Sequence, residues 1–558
     1  MVHEKIEIML GDWLYNAGIV GFINILKSAG ETIQYNKNSF EFSVEALDNF
    51  EEKFFNYLIN TYEKNLSWYK ITSAKGFVEK HLANDLEEFS DSDLENLNKM
   101  IGSKGTSGSI KYYLNSKSYE KAYDLIEGSR ELVDLETRLV PIKKGGKDDV
   151  KEILLILQNI INLLEKETFK KYIAGKNVIY TIIRQGWNGV SILNPQTKEL
   201  NMYSDYKKSF VTDVSTYLES PKEKYKYNCF TCNRSIKNLN ETLSFLNEVG
   251  FDVARKPSHI WDYSNDIGIC PICRLIYSCV PCGMTYVINS GIFINRNYSV
   301  EMLVDINQHM KHEILDVNSE HRKSTYRAMI IALTNMKNDN SKYDLSDIQV
   351  IRYEDIGGAN KYRFNVLSKK VLKVISDSTD DLNHLMRASF KEADTYYRLY
   401  DEVLKILLNN GRFFLTVNKL LSLKLQNKRD LYYSSHHIMA LLRINQRMIK
   451  GDEKMENEKA MLKKYNAAGY YLKQAYLEKK SENKLGGISY KLLNALKTNN
   501  TSMFMDTLLN CYLYVNKQVP TFIIDCMQDE DMFKSIGYAF VTGLVNGETY
   551  EKSENGGK

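Results

Sequence analysis

The sequence predicts an α+β chain, mainly helical, with a mixed α/β N-terminal region, an inserted cysteine ribbon and a C-terminal antiparallel helical bundle. Three observations carry that reading. Short β-like runs lie around 32–44 and 178–194. Two CxxC pairs, Cys229/Cys232 and Cys270/Cys273, interrupt the chain after them. Beyond residue 460, apolar side chains recur at 3-4-3-4 spacing, the signature of helices with one buried face.

A chain of 558 residues is too long for one core and should divide into about three or four domains. We expect an N-terminal α+β domain over 1–224, a ribbon segment over 225–299 and a helical connecting region over 300–425. The bundle follows at 426–548, then a polar disordered tail at 549–558. In the first of these, Leu14, Val20, Ile23 and Leu26 mark a helix, and the small Ala17, Gly18 and Gly21 let another backbone approach it closely. Helices are expected again at 47–63 and 75–88. The stretch 102–109, rich in Gly and Ser with Lys104, is a loop; it lacks the closing Lys-Ser or Lys-Thr of a P-loop. Val178–Ile183 and 190–193, joined across Arg184, Gln185, Trp187 and Asn188, read as a hairpin with a polar tip.

In the bundle, Leu462, Tyr465, Gly469, Leu472 and Tyr476 form one stripe, and Leu485, Ile488, Leu492 and Leu496 form a second. Thr501 or Ser502 is expected to cap a third helix that turns Phe504, Leu508, Tyr512 and Val515 inward, with Cys511 on its buried face.

The cysteines are the most specific chemical signal. Two thiolates on each of two tight turns can close a tetrahedral S4 shell around Zn²⁺, so Cys229, Cys232, Cys270 and Cys273 are the expected ligands of a structural zinc. Such a shell leaves no coordination position for a reactive water. The competing reading, four small apolar core thiols, does not account for two pairs of the same spacing. Cys279 and Cys282 form a third pair inside an apolar run and are read as buried thiols, with exchange into the metal shell as the alternative.

Net charge is only +4, which excludes a polycationic tail, yet residues 169–256 carry 14 Lys/Arg against 8 Asp/Glu. A locally basic, aromatic-rich ribbon suits a nucleic-acid surface, although charge alone fits a solvated face equally well. Candidate contacts are Lys104, Ser107 and Ser109 for phosphate and Arg184, Gln185, Trp187 and Asn188 for a groove or a wedge between pairs. Arg234, Arg255 and Lys256 beside the ribbon are candidates to track a backbone. HExxH, GxSxG and P-loop motifs do not occur, so no catalytic residue is assigned and the chain is expected not to be an enzyme. His309 and His312 are spaced for a metal but have no evident third ligand, and the adjacent His436 and His437 point to different helix faces. No signal pattern and no membrane-length apolar run is present, and cysteines concentrated in CxxC pairs suit a reducing compartment, so the expected location is cytoplasmic.

Several stretches together resemble the large subunit of the type I-B CRISPR surveillance complex, Cascade. They are Gly11-Asp-Trp-Leu-Tyr-Asn-Ala-Gly-Ile-Val-Gly-Phe22, Gly186-Trp-Asn-Gly-Val-Ser-Ile-Leu-Asn194 and the CxxC pairs bracketing Arg255-Lys-Pro-Ser-His-Ile-Trp261. Gly291-Ile-Phe-Ile-Asn295, Tyr490-Lys-Leu-Leu-Asn-Ala-Leu496 and Met503-Phe-Met-Asp506 complete the set. The extra pair Cys279/Cys282 departs from the pattern.

The resemblance implies a non-catalytic, zinc-bearing DNA- and RNA-binding subunit in antiviral defence. It would inspect the target-flanking motif (PAM) in double-stranded DNA while guide RNA reads the sequence by base pairing. It would support R-loop formation, contact the guide-handle-binding and backbone subunits, and recruit a helicase–nuclease. Its bundle would resemble the small subunit. Lys450-Gly451-Asp452 can be encoded with a ribosome-binding core just before Met455, so internal initiation at Met455 would release a 104-residue small subunit. Two other classes remain open: a zinc-ribbon protein-interaction scaffold unrelated to nucleic acid, and a metal-dependent hydrolase built on His309 and His312.

Overall fold

The computed structural model describes residues 5–142, 146–248, 267–287, 290–315, 348–356, 359–392, 395–426, 429–450, 455–520 and 529–546. The chain is mostly helical with small antiparallel sheets, as the sequence predicts. It divides into two compact units, one formed by 1–323 with 350–364 and the other by 324–349 with 365–558.

The first unit is built around helix Trp13–Ser28. Asp12 caps it, its carboxylate accepting from the amides of Leu14 at 2.8 Å and Tyr15 at 3.0 Å. Every residue from Leu14 to Leu26 is buried, so this helix is surrounded rather than amphipathic. Its closest neighbours are helices Pro271–Ser278 and Val280–Gly283, which follow the second cysteine pair. A Cβ on Gly21 would lie 2.0 Å from the Cys279 carbonyl oxygen, and one on Gly283 would lie 1.8 Å from that of Ala17. Only glycine at both places lets the backbones touch. On the other side, Lys5–Met9 pairs antiparallel with Ser39–Ser43, which places Ile6, Ile8, Phe40 and Phe42 in the core. Helices Phe50–Tyr62 and Lys75–Ala83 lie within the expected spans.

The expected hairpin at 178–194 does not form. Helix Glu167–Val178 continues through a π-helical turn, Ile179–Ile183, into Arg184–Gly186. The β-branched run reads as strand by propensity, but Val178, Ile179, Ile182 and Ile183 are buried at positions that share a helix face. Burial overrides propensity there.

The region 300–425, expected as a helical connector, also holds strands. Thr285–Val287, Ser290–Asn295, Ile348–Ile356 and Ala359–Leu367 form a four-stranded sheet in that order. Ser389–Glu392, Thr395–Arg398 and Leu431–Tyr432 form a small second one. Aromatic and β-branched residues in short runs between turns favour these strands, and such runs are hard to tell from buried helix by pattern alone.

In the second unit, helices Met455–Glu478, Leu485–Lys497, Thr501–Val515 and Glu530–Asn546 form the C-terminal bundle. Leu462, Tyr465, Leu472, Tyr476, Leu492, Leu496, Phe504 and Leu508 are all buried, so the expected stripes are the core. Ile488 is only half-buried. Cys511 is buried on the third helix. The cap differs from expectation: Asn500, one residue earlier, accepts the Met503 amide at 2.8 Å, and Thr501 is already helical. Arg443 and Arg447, on helix Ser435–Lys450, converge on Asp381 of helix Thr379–Leu385 with N···O distances of 2.6 Å each. The tail at 549–558 and residues 451–454 just before Met455 fall outside the described residues.

Candidate metal centre

The first cysteine pair sits on a knuckle closed by a two-residue ladder, Tyr227–Asn228 against Ser235–Ile236. The Cys229 amide donates to the Arg234 carbonyl at 2.8 Å, and Asn233, in the left-handed region at φ 59°, returns its amide to the Cys229 carbonyl at 2.9 Å. The second pair straddles a helix start. Cys270 caps helix Pro271–Ser278, accepting the Cys273 amide on its sulfur at 3.4 Å, and Pro271 presets the first helical φ. The two knuckles join where the Cys270 amide donates to Cys229 Sγ at 3.2 Å and the Phe230 amide to the Gly268 carbonyl at 2.8 Å.

All four sulfurs lie within 4.8 Å of one another, and Cys232 Sγ is 3.6 Å from Cys270 Sγ. Sulfurs at about 2.3 Å from a tetrahedral ion sit roughly 3.8 Å apart, so the set fits zinc by donor type, number and spacing. Without a cation, four thiols this close cannot ionise together. Hydrogen bonds from Cys232, Cys270 and Cys273 hold Cys229 well below the usual thiol range, and the same bonds push Cys270 and Cys273 up. A dication reverses that competition, since each ligand must be deprotonated.

Two neighbours suit a shell of four thiolates. Tyr15, on the N-terminal helix, has its hydroxyl 3.3 Å from Cys273 Sγ. Arg234 reaches the Glu7 carbonyl on the first strand; burial opposes its charge, but Cys232 beside it holds its proton more tightly than usual. Outer partners of this kind orient metal ligands and offset their charge. No spacing in the sequence marks Tyr15, which contributes through the fold alone. Cys279 and Cys282 stand outside the four-sulfur group, fully buried; burial pushes Cys279 up to about 12 and Cys282 well above the usual thiol range. They are core thiols.

The candidate nucleic-acid contacts divide. Lys104 and Ser107 are exposed on their loop, but Ser109 is buried: its hydroxyl caps helix Ile110–Leu114 through the Tyr112 amide and donates to the Ser103 carbonyl. Trp187, expected as a wedge, is completely buried, and its Nε1 donates to the Ser278 carbonyl at 2.9 Å. Gln185 turns its Nε2 back onto the Thr181 carbonyl of its own helix. Arg184 and Asn188 remain exposed. Their backbones are tied to the ribbon segment, with Asn247 Nδ2 on the Arg184 carbonyl at 2.6 Å and the Asn188 amide on the Phe245 carbonyl at 2.9 Å. The fold thus brings these two to the ribbon, which sequence order did not suggest. Arg255 and Lys256 lie outside the described residues.

The histidines do not assemble a second centre. His309 is exposed, with Nδ1 2.8 Å from the Asp305 carbonyl of its own helix, and His437 Nδ1 takes the Ser434 amide at 2.9 Å. Among the described residues the four cysteines are the one group of three or more such ligands. No helix among the described residues is long and apolar enough to cross a membrane.

Residues 222–285, the span of both knuckles and the helices after them, match the family model of a CRISPR-associated protein, Cas_CXXC_CXXC. That segment is therefore similar to the corresponding part of CRISPR-associated proteins. No curated protein and no solved structure matches the chain.

Proposed function

We propose that this chain is CRISPR-associated, the non-catalytic large subunit of an RNA-guided type I-B effector complex, with a structural zinc in its cysteine shell. The observation that carries the reading is the closed four-cysteine ribbon inside the matched segment. Cys229, Cys232, Cys270 and Cys273 would hold the ion, which supplies cross-linking between the two knuckles and no open position for chemistry. In this reading the chain inspects the flanking motif of double-stranded target DNA, supports R-loop formation and recruits a helicase–nuclease, while guide RNA carried by the other subunits reads the target. Lys104, Ser107, Arg184 and Asn188 are the exposed candidates for the flank, Arg184 and Asn188 at the edge of the ribbon.

The bundle supports a strand-lining role. Tyr471 and Tyr490 are exposed, and Tyr490 is followed by the exposed Lys491 and Lys497 on the same helix. Aromatic faces beside lysines suit single-stranded nucleic acid. Met455 is the first residue of a helix, so initiation there would release four helices that pack on one another.

The test is to express the tagged chain with its neighbouring genes and analyse what co-purifies by mass spectrometry and RNA sequencing. Repeat-derived guide RNA and backbone subunits are the expected result; a lone, RNA-free chain contradicts the reading. A fragment beginning at Met455, abolished by a silent change in the Gly451 codon, is expected beside them, and its persistence would sink the internal start alone.

A further inference from the structure

Helices Trp13–Ser28, Phe50–Tyr62 and Val300–Leu315 border an open cavity of about 750 Å³ in the first unit. That volume falls in the range of sites for small molecules. Its charge is one-sided. Lys27, Lys64 and Lys311 line it, whereas the carboxylate on its wall, Glu63, is already paired with Lys170 at 2.7 Å.

Lys311 is the unusual member. Its side chain is buried, its ammonium donating to the Tyr57 hydroxyl at 2.9 Å and the Cys282 carbonyl at 2.6 Å. No carboxylate pairs with it among the described residues, and burial lowers its pKa. A desolvated ammonium without a counter-charge is costly, and an anion in the cavity offsets that cost. Beside it Gln308 Nε2 donates to Asn24 Oδ1 at 2.7 Å, so carboxamides are held in place on the same wall. Lysines suit phosphate, and carboxamides suit the donor and acceptor pattern of a base edge. The space exceeds what a bare phosphate needs.

We propose that this cavity binds a nucleotide through its phosphate, with Lys27, Lys64 and Lys311 on the phosphate oxygens and Asn24 and Gln308 toward the base. The site stands apart from the cysteine centre and does not depend on the role proposed for the whole chain. The ligand can be a free nucleotide or one unit of a nucleic-acid strand, and the experiment separates these.

Calorimetric titration of the full chain would use adenosine monophosphate, adenosine, inorganic phosphate and a short single-stranded oligonucleotide. Adenosine monophosphate is expected to bind, with adenosine and inorganic phosphate each at least about tenfold weaker, the loss of a charged contact or of the base. Lys27→Gln and Lys64→Gln, both exposed, should each weaken it by about tenfold while the melting curve stays unchanged. Lys311→Met should remove binding; because that residue is buried, the two rim variants keep the test independent of folding. If the oligonucleotide displaces adenosine monophosphate, the natural ligand is a strand, and if it does not, a free nucleotide. Equal binding of adenosine, equal binding of inorganic phosphate, or rim variants without effect would overturn the proposal.

Discussion

The ribbon and the C-terminal bundle are both tightly packed, but different forces hold them. Around the cysteines the regular structure is slight: a two-residue ladder, one eight-residue helix, and sulfurs gathered within 4.8 Å. In the bundle, helices of 24 and 17 residues lie against each other over their apolar faces, and the closest approach is again at glycines. A Cβ on Gly469 would lie 2.0 Å from the Phe540 carbonyl, and one on Gly543 1.9 Å from that of Asn466. The same glycine device seats the N-terminal helix against the ribbon's helices. Close backbone packing is therefore common to the two regions, and the sulfur shell is what distinguishes them. A ribbon with this little ladder has more to gain from a metal cross-link than long helices with a shared core do.

The largest expected effect follows from removing that cross-link. Cys273→Ser should abolish stoichiometric zinc, measured by plasma emission, and expose the first unit to limited proteolysis while the bundle survives as a resistant fragment. Structural zinc supplies on the order of 10 kcal/mol to small sites, more than a knuckle of this size can replace. Asp381→Asn is the counterpart in the second unit. It removes the carboxylate that Arg443 and Arg447 share and should cost about 3–5 kcal/mol in denaturant melts, with zinc content unchanged.

The pH dependence of that second unit follows from the same carboxylate. Burial alone would raise the Asp381 pKa, but hydrogen bonds and charge from Arg443 and Arg447 hold it below the usual carboxylate range. A carboxyl depressed in the folded state contributes stability in full above its unfolded value, about 3.9, and loses it as pH falls through the folded value. Acid melts of Asp381→Asn should therefore show a shallower loss below about pH 4 than the parent chain.

Gly21→Val and Gly469→Val sharpen the comparison from the side the regions share. Both place a side chain into a facing backbone, so both should destabilise by about 1–3 kcal/mol or more, one in each unit. If only Gly469→Val is harmful, the zinc shell rather than glycine packing seats the N-terminal helix. A smaller effect belongs to Trp187→Phe, which deletes the bond to the Ser278 carbonyl and should cost about 1–2 kcal/mol without changing the salt dependence of the DNA binding proposed above. Arg184→Ala should do the reverse, leaving the melt unchanged and lowering the salt slope by about one.

Much of this was legible in the sequence, for stated physical reasons. A repeated CxxC spacing has few structural solutions, and the four cysteines converge as that spacing implies. The stripe through Leu462, Tyr465, Leu472 and Tyr476 is readable because one helix face repeats over many turns. The run Ile179–Ile183 was not, since β-branched residues favour strand locally and only tertiary burial made it helical. Trp187 and Ser109 looked available because Gly and polar neighbours suggest exposed tips, but Ser278 claims Trp187 from elsewhere in the fold and the helix start at Tyr112 claims Ser109 as its cap. Tyr15 was invisible because its partner Cys273 lies 258 residues away in sequence, and Lys311 because Tyr57 lies 254 residues away.

The most direct measurement is hydrogen exchange by mass spectrometry on the full chain, before and after a zinc chelator, with zinc content measured in parallel. The account predicts about one zinc per chain. It also predicts that chelation strips protection from Trp13–Ser28 and Pro271–Ser278 while Leu485–Lys497 and Glu530–Asn546 stay protected. A chain that holds no zinc yet protects both regions, or one in which chelation opens both together, would contradict it.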